Sequence, residues 1–252
     1  MKKSFHTLVS ACALIAITSV YAEKPAAQWS YEGQTGPEHW GELSPEHSTC
    51  SSGKNQSPID IDSKATIDFK QDPIALNYSM LVAEQIRNTG HSIQVDMRSG
   101  GSIKLDGMDF ELKQFHFHTP SENTVNGKHF PLEAHFVHQN KAGELAVVAM
   151  MAVPGKADAA LTTLWENMPM KAGEAVRLSA KALKAIESDS KFSNYYRFNG
   201  SLTTPPCTEG VRWVIMQTPI TVSEEQVKKL QAALHHPNNR PVQKLNARQI
   251  LE

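Results

Sequence analysis

Short runs of strand character, each bounded by turn-forming residues, punctuate the chain at 86–87, 92–97, 103–105, 110–118, 132–138, 145–153 and 211–218. Helical signals are fewer. The stretch 158–167 is one, and 223–234 is a better one, because Ser223 can act as N-cap and Gln226 stands three residues on to complete a capping box. Pro237 follows that second helix, and the remaining residues show no clear period, which predicts an ordered loop. The pattern as a whole predicts a mainly β (α+β) protein with short peripheral helices.

Length adds a boundary condition. The chain has 252 residues and is 40% hydrophobic, enough for a sizeable core in one large domain or two small ones. Glycine and proline are scattered in small clusters and no internal repeat is visible, which favours a single domain. The net charge of -1 arises from 25 Lys+Arg against 26 Asp+Glu with no long run of either sign. That balance offers no electrostatic footprint for nucleic acid or an anionic membrane and points to small ligands.

The first residues differ in character. Lys2 and Lys3 precede a mostly apolar stretch from Leu8 to Val20, and Val20-Tyr21-Ala22 places small residues where a signal peptidase cuts. A secretory signal peptide is therefore expected over residues 1–22, with a mature domain over 23–252 in the periplasm or outside the cell. The apolar stretch is short for a stable membrane anchor. Cleavage removes Cys12 and leaves Cys50 and Cys207, an even pair in an oxidising compartment, for which a disulfide is the default expectation and two buried free thiols the alternative. Closing so long a loop is worth roughly 4 to 5 kcal/mol on the chain-entropy model.

The informative chemistry lies in two of the predicted strands. Residues two apart in a strand share a face, so Gln114, His116 and His118 point one way while Phe115 and Phe117 point the other, into a core. Pro120, Asn126 and Gly127 supply turns in the following loop, so the next strand can return alongside and present Glu133, His135 and Val137 on the histidine face. Three imidazoles with no fourth protein ligand make the arrangement of a catalytic Zn2+ site, since a structural site closes its own tetrahedron. Cobalt or iron would also suit the nitrogen donors, and a cupin-like barrel is the competing scaffold. Gln114 and Glu133 share the histidine face and can hold the second ring N–H of a ligand. His129, His138 and His236, each taken alone, read as ordinary satisfied or surface histidines, and His138 has the wrong parity for the cluster.

The string His116-Phe117-His118, followed by Ser121-Glu122-Asn123 and Glu133-Ala134-His135, resembles the metal-binding hairpin of the α-class carbonic anhydrases. Trp29-Ser30-Tyr31, Gly36-Pro37-Glu38-His39-Trp40, Gln56-Ser57-Pro58-Ile59, Asn88-Thr89-Gly90-His91, the run from Tyr196 through Ser201-Leu202-Thr203-Thr204-Pro205-Pro206, and Asn239-Arg240-Pro241 agree, in the family's order. The resemblance is to the bacterial, secreted members. The resemblance implies a single domain with a large, mostly antiparallel central sheet and zinc at the base of a conical cleft. It also implies reversible hydration of carbon dioxide to bicarbonate and a proton by zinc-hydroxide attack, with a homodimer as a further expectation.

By the same resemblance His116, His118 and His135 are the zinc ligands, Thr203 is the gatekeeping hydroxyl, Glu122 is its partner and His91 is the proton shuttle. Val137, Val147, Leu202, Val211 and Trp213, with Thr203 and Thr204, form the substrate wall; the five apolar residues read equally well as packing. Thr89 stands where some relatives have Asn, and Thr119 follows the second ligand where many animal members have Trp. Two other readings stay open: a catalytically silent binding module, whose mark would be a missing zinc histidine, and a zinc amidase or peptidase, which would need a His-Glu-x-x-His helix. All three histidines are present and that helix motif is not.

Overall fold

The computed structural model describes residues 28–78, 81–178 and 189–252. The expected leader at 1–22 lies outside the described residues. Among the described residues thirteen strands run in chain order: β1 (Asp60–Ile61), β2 (Ile74–Asn77), β3 (Val82–Asn88), β4 (Ile93–Ser99), β5 (Ser102–Leu105), β6 (Met108–His118), β7 (Thr124–Val125), β8 (Leu132–Gln139), β9 (Leu145–Pro154), β10 (Ala175–Val176), β11 (Asp189–Phe192), β12 (Tyr195–Ser201) and β13 (Glu209–Val222). The described helices are α1 (Trp40–Leu43), α2 (Thr49–Ser52), α3 (Ala159–Trp165) and α4 (Glu224–Leu234).

Eleven strands form one sheet, in the order β10-β3-β4-β6-β8-β9-β13-β12, with β5, β2 and β11 branching from the other end of the long strand β6. Every pairing in it is antiparallel except β9 with β13. The single-domain, mostly antiparallel expectation therefore holds for the described residues. Strand β9 reads as a nearly unbroken apolar run because both of its faces are buried, as a strand at the middle of a covered sheet requires. All seven predicted strands are present, each extended by a residue or more at one or both ends except that β4 starts one residue late.

Both predicted helices form and lie at the periphery. Asp158 caps α3 by accepting the Leu161 N–H at 2.8 Å, and Ser223 with Gln226 makes the complete capping box of α4. His235 ends α4 in the left-handed region, two residues before Pro237. The C-terminal stretch is largely irregular, as expected, but its end joins the sheet edge: Leu251 exchanges both backbone hydrogen bonds with Arg197 of β12, at 2.8 and 2.9 Å. Covering an edge in this way removes unpaired N–H and C=O groups that would otherwise template association.

The two faces of the sheet carry separate cores. One face packs Phe110, Phe115 and Phe117 with the apolar sides of α3 and α4. The other packs Val147, Ala149, Val211, Trp213 and Ile215 against Ile59 and Ile61 from the N-terminal segment. A third, small cluster joins Trp40 to Cys50 and Cys207, which are bonded to each other across 157 residues of chain. The expected disulfide is thus present, and the free-thiol alternative is set aside.

Candidate active site

Strands β6 and β8 pair with His116 opposite His135, His118 opposite Glu133 and Gln114 opposite Val137. That register puts the three imidazoles on one face, as parity predicts, with ring centroids 4.5 to 5.3 Å apart. One ring nitrogen from each lies within 4.8 Å of the others. His118 and His135 are each 1% exposed, whereas His116 keeps some exposure. Desolvation lowers the pKa of all three, most strongly for His116 and His135, with the neighbouring imidazoles adding to the effect at those two. Neutral imidazole is the form that ligates a metal.

The other nitrogen of each ring is engaged. His116 Nδ1 donates to Gln114 Oε1 at 2.8 Å, and His118 Nδ1 donates to the Asn238 carbonyl at 2.7 Å. His135 Nε2 approaches Glu133 Oε1 to 2.9 Å, poorly aligned for a hydrogen bond yet close enough for the carboxylate to hold it. These contacts leave Nε2 of His116, Nε2 of His118 and Nδ1 of His135 toward the shared space, and His118 Nε2 is buried without a hydrogen-bond partner. Three inward nitrogen donors with braced outer nitrogens fit a zinc ion, and a fourth protein donor is absent among the described residues. Gln114 and Glu133 are the side chains nearest the outer nitrogens of His116 and His135.

Glu133 is wholly buried and also organises the loop beyond β6. Its Oε2 accepts the backbone N–H groups of Glu122 and Asn123 at 2.7 and 2.9 Å, and its Oε1 accepts the Asn123 side-chain amide at 2.7 Å. Glu122 is thereby brought to the triad, with Oε2 3.3 Å from His118 Nε2 and 3.8 Å from His135 Nδ1. Burial pushes the Glu122 carboxyl well up; the Arg240 backbone N–H, donating at 2.9 Å, and the Thr203 hydroxyl oppose that push. The Thr203 contact lowers the Glu122 pKa, although Oε2 lacks a partner of good geometry.

Thr203 sits on the turn between β12 and β13. The turn is closed by hydrogen bonds from Leu202 N–H to the Thr208 carbonyl and from Cys207 N–H to the Thr204 carbonyl, at 3.0 and 2.9 Å, and by the disulfide at Cys207. Thr204 contributes through that carbonyl. At the base of the turn Gly200 is obligatory: a Cβ there would collide with Ser57 Oγ and the Trp213 ring. Val147, Val211 and Trp213 are buried in the core cluster on the histidine face, Val137 and Leu202 pack against it partly exposed, and the Trp213 ring lies 4.9 Å from that of His135.

His91 stands apart from the triad. Its ring stacks on Trp29 at 3.8 Å and 13°, and its carbonyl accepts from Asn238 Nδ2 at 3.0 Å. Asn238, which no sequence motif marks, is fully buried and braces both regions, since it also accepts from Thr119 N–H at 2.9 Å and donates to the Phe117 carbonyl at 2.9 Å. Arg240 belongs to the Asn239-Arg240-Pro241 motif. Its guanidinium, 1% exposed, donates to Gln56 Oε1, the Ser57 carbonyl and the Cys50 carbonyl at 2.8 to 2.9 Å. Burial lowers its pKa to about 10, still a cation at neutral pH. A polar Asn-Asn-Arg run placed among helix-breaking prolines was the available signal.

Comparison with known proteins agrees with this geometry. The family model described as eukaryotic-type carbonic anhydrase matches residues 35–252. A carbonic anhydrase of Pectobacterium carotovorum is 43% identical over 251 residues, covering 99% of this chain and 98% of its own. The α-carbonic anhydrase of Thermovibrio ammonificans, solved with the inhibitor sulfanilamide, superposes with a TM-score of 0.83 at 44% identity, over 90% of this chain and 100% of its own. The Photobacterium profundum α-carbonic anhydrase gives a TM-score of 0.79 at 49% identity, over 89% and 100%. The chain therefore belongs to the eukaryotic-type, or α-class, carbonic anhydrase family.

Proposed function

We propose that the chain, after loss of a leader at residues 1–22, works in the periplasm or outside the cell as a zinc enzyme that reversibly hydrates carbon dioxide to bicarbonate and a proton. The observation that carries this reading is the set of three inward histidine nitrogens whose outer nitrogens are held by Gln114, Asn238 and Glu133. Zinc held by His116, His118 and His135 would supply the chemistry known for this family, a Lewis acid that makes water a nucleophile near neutral pH and adds positive charge that favours ionised Glu122.

The protein's own groups do the positioning. A threonine hydroxyl has a single proton, and if Thr203 gives it to Glu122 its oxygen is left to accept. It then admits a nucleophile that can donate a hydrogen and orients that nucleophile's lone pair toward carbon. Water that has lost one proton attacks as hydroxide; as its oxygen bonds carbon, one C=O electron pair moves onto oxygen, giving bicarbonate, and the proton that the water lost is the one to be exported. Val137, Val147, Leu202, Val211 and Trp213 offer an apolar wall suited to an uncharged substrate, with Thr203 and Thr204 at its polar margin. His91, partly buried at the Trp29 ring, takes the released proton to buffer.

The test is stopped-flow carbon dioxide hydration on mature protein, with zinc measured on the same sample and a chelated control. Rapid turnover that vanishes with zinc and returns on its addition is expected. A full zinc complement with no hydration would replace this reading with a silent binding module.

A further inference from the structure

The turn between β3 and β4 carries His91, and its hydrogen bonds converge on one hydroxyl. Thr89 Oγ1 accepts the N–H of His91 at 3.2 Å and that of Ser92 at 2.9 Å, and it donates to the Ser92 carbonyl at 3.0 Å. A threonine hydroxyl has one proton to give and two lone pairs, so its whole capacity is spent on the backbone of its own turn and none is left for the cleft. Asn88, 1% exposed, works from the other side: its Oδ1 accepts the Gly90 N–H at 2.9 Å and its Nδ2 donates to the Ala233 carbonyl of α4 at 2.9 Å. From the turn a further tie runs to the histidine strand, where Ser92 Oγ donates to the Phe117 carbonyl of β6 at 2.8 Å, between His116 and His118.

The His91 imidazole lacks a tether on its inner side. Its Nδ1 is buried without a hydrogen-bond partner, and the ring rests on the indole of Trp29, centroids 3.8 Å apart and 13° from parallel. The ring is therefore held from below by its own backbone, which Asn238 grips at the His91 carbonyl and Thr89 at the His91 N–H. We infer that Thr89 is a positioning residue for proton export: its hydroxyl, by tying His91 and Ser92 into one rigid turn, keeps the His91 imidazole on Trp29 at a fixed place relative to β6. The inference rests on the reading of His91 as the export group. Proton transfer depends on the separation of donor and acceptor along the path, so a shuttle that swings away from its place passes protons more slowly while the attack on carbon dioxide is untouched. Such a defect enters kcat, which contains the steps that follow departure of bicarbonate, and leaves kcat/KM as it was.

Two substitutions separate the hydroxyl from the shape of the side chain. Thr89→Val keeps the branch and removes the hydroxyl, whereas Thr89→Ser keeps the hydroxyl. Zinc-loaded mature protein would be assayed by stopped-flow hydration in weak buffer and in imidazole, and by NMR of the His91 imidazole C–H signals, which the face of the Trp29 ring shields and which His91→Ala assigns. In Thr89→Val those signals are expected to lose most of their shielding, and kcat in weak buffer to fall several-fold with kcat/KM unchanged, imidazole restoring the lost rate. Thr89→Ser is expected to behave as the unaltered protein in all three respects. Unmoved His91 signals in Thr89→Val, an equal fall in kcat and kcat/KM, or a Thr89→Ser variant as impaired as Thr89→Val overturns the inference. If His91→Ala keeps full kcat in weak buffer, the export reading itself fails and takes the inference with it. If His91→Ala loses kcat and imidazole restores it while Thr89→Val keeps full kcat, the inference alone falls.

Discussion

Glu133 shows how much depends on the acceptor capacity of one side chain. Its two oxygens face two backbone N–H groups, the Asn123 amide and the His135 ring. Glu133→Gln turns one of those oxygens into a donor facing other donors, and the expected loss is about 10- to 100-fold in zinc affinity, read by competition with a chelator of known strength. Thr203→Ala has the opposite profile: zinc binding is retained and most of the hydration rate is lost, so equal metal content with an unchanged rate would remove Thr203 from the mechanism. Both residues were reachable from sequence, Glu133 because it shares parity with His135, and Thr203 through the Ser-Leu-Thr-Thr-Pro-Pro run. Asn238 and Arg240 were not reachable as partners. Asn238 meets His118 through its backbone carbonyl and Arg240 meets Gln56 through its guanidinium, each across more than a hundred positions, and neither periodicity nor spacing encodes such pairings.

Legibility of the secondary structure follows burial in the same way. Strands β6, β8 and β9 were visible because each has at least one buried face that enforces a regular apolar pattern. Strand β12 was missed, since Tyr195–Ser201 mixes Arg197, Asn199 and Gly200 into its run and owes its extension to pairing along β13 and to Leu251. Helix α4 was legible for a local reason, its capping box. Ser223→Ala removes the acceptor for the Gln226 N–H, and a loss of about 1 kcal/mol in urea unfolding is expected with the hydration rate unchanged.

Taken whole, the molecule is joined by a few long-range ties whose loss is measurable. The Cys50–Cys207 bond closes a loop across most of the chain and packs against Trp40. Cys50→Ser with Cys207→Ser is expected to lower stability by about 2–5 kcal/mol, seen as a lower urea midpoint, and to loosen the turn that carries Thr203. Acid sensitivity has an identifiable contributor in His138, whose wrong parity for the triad puts it on the opposite face, where Tyr78 bonds its Nε2 at 2.6 Å. Burial lowers its pKa to about 4 from an ordinary value near 6.5. The unfolded chain therefore binds the proton first, and the stability His138 contributes above the ordinary value is lost as pH falls toward the depressed one. Between pH 7.5 and 4.5 this amounts to about 2–3 kcal/mol. His138→Gln, which can still bond Tyr78, is expected to show a fall in unfolding free energy over that interval smaller by a similar amount; an identical fall would assign the acid sensitivity elsewhere.

The division of the site along the chain has a consequence for the order of assembly. All three histidines proposed to hold the metal belong to the antiparallel pair β6 and β8, while Thr203, Asn238 and Arg240 come from the last quarter of the chain. The parallel pairing of β9 with β13 also needs a distant return of the chain, and such non-local contacts slow folding. A chain emerging from N to C terminus thus exposes its histidine trio to metal before it possesses the residues that steer and brace the chemistry, so that capture of the ion can precede, and help to template, completion of the catalytic pocket.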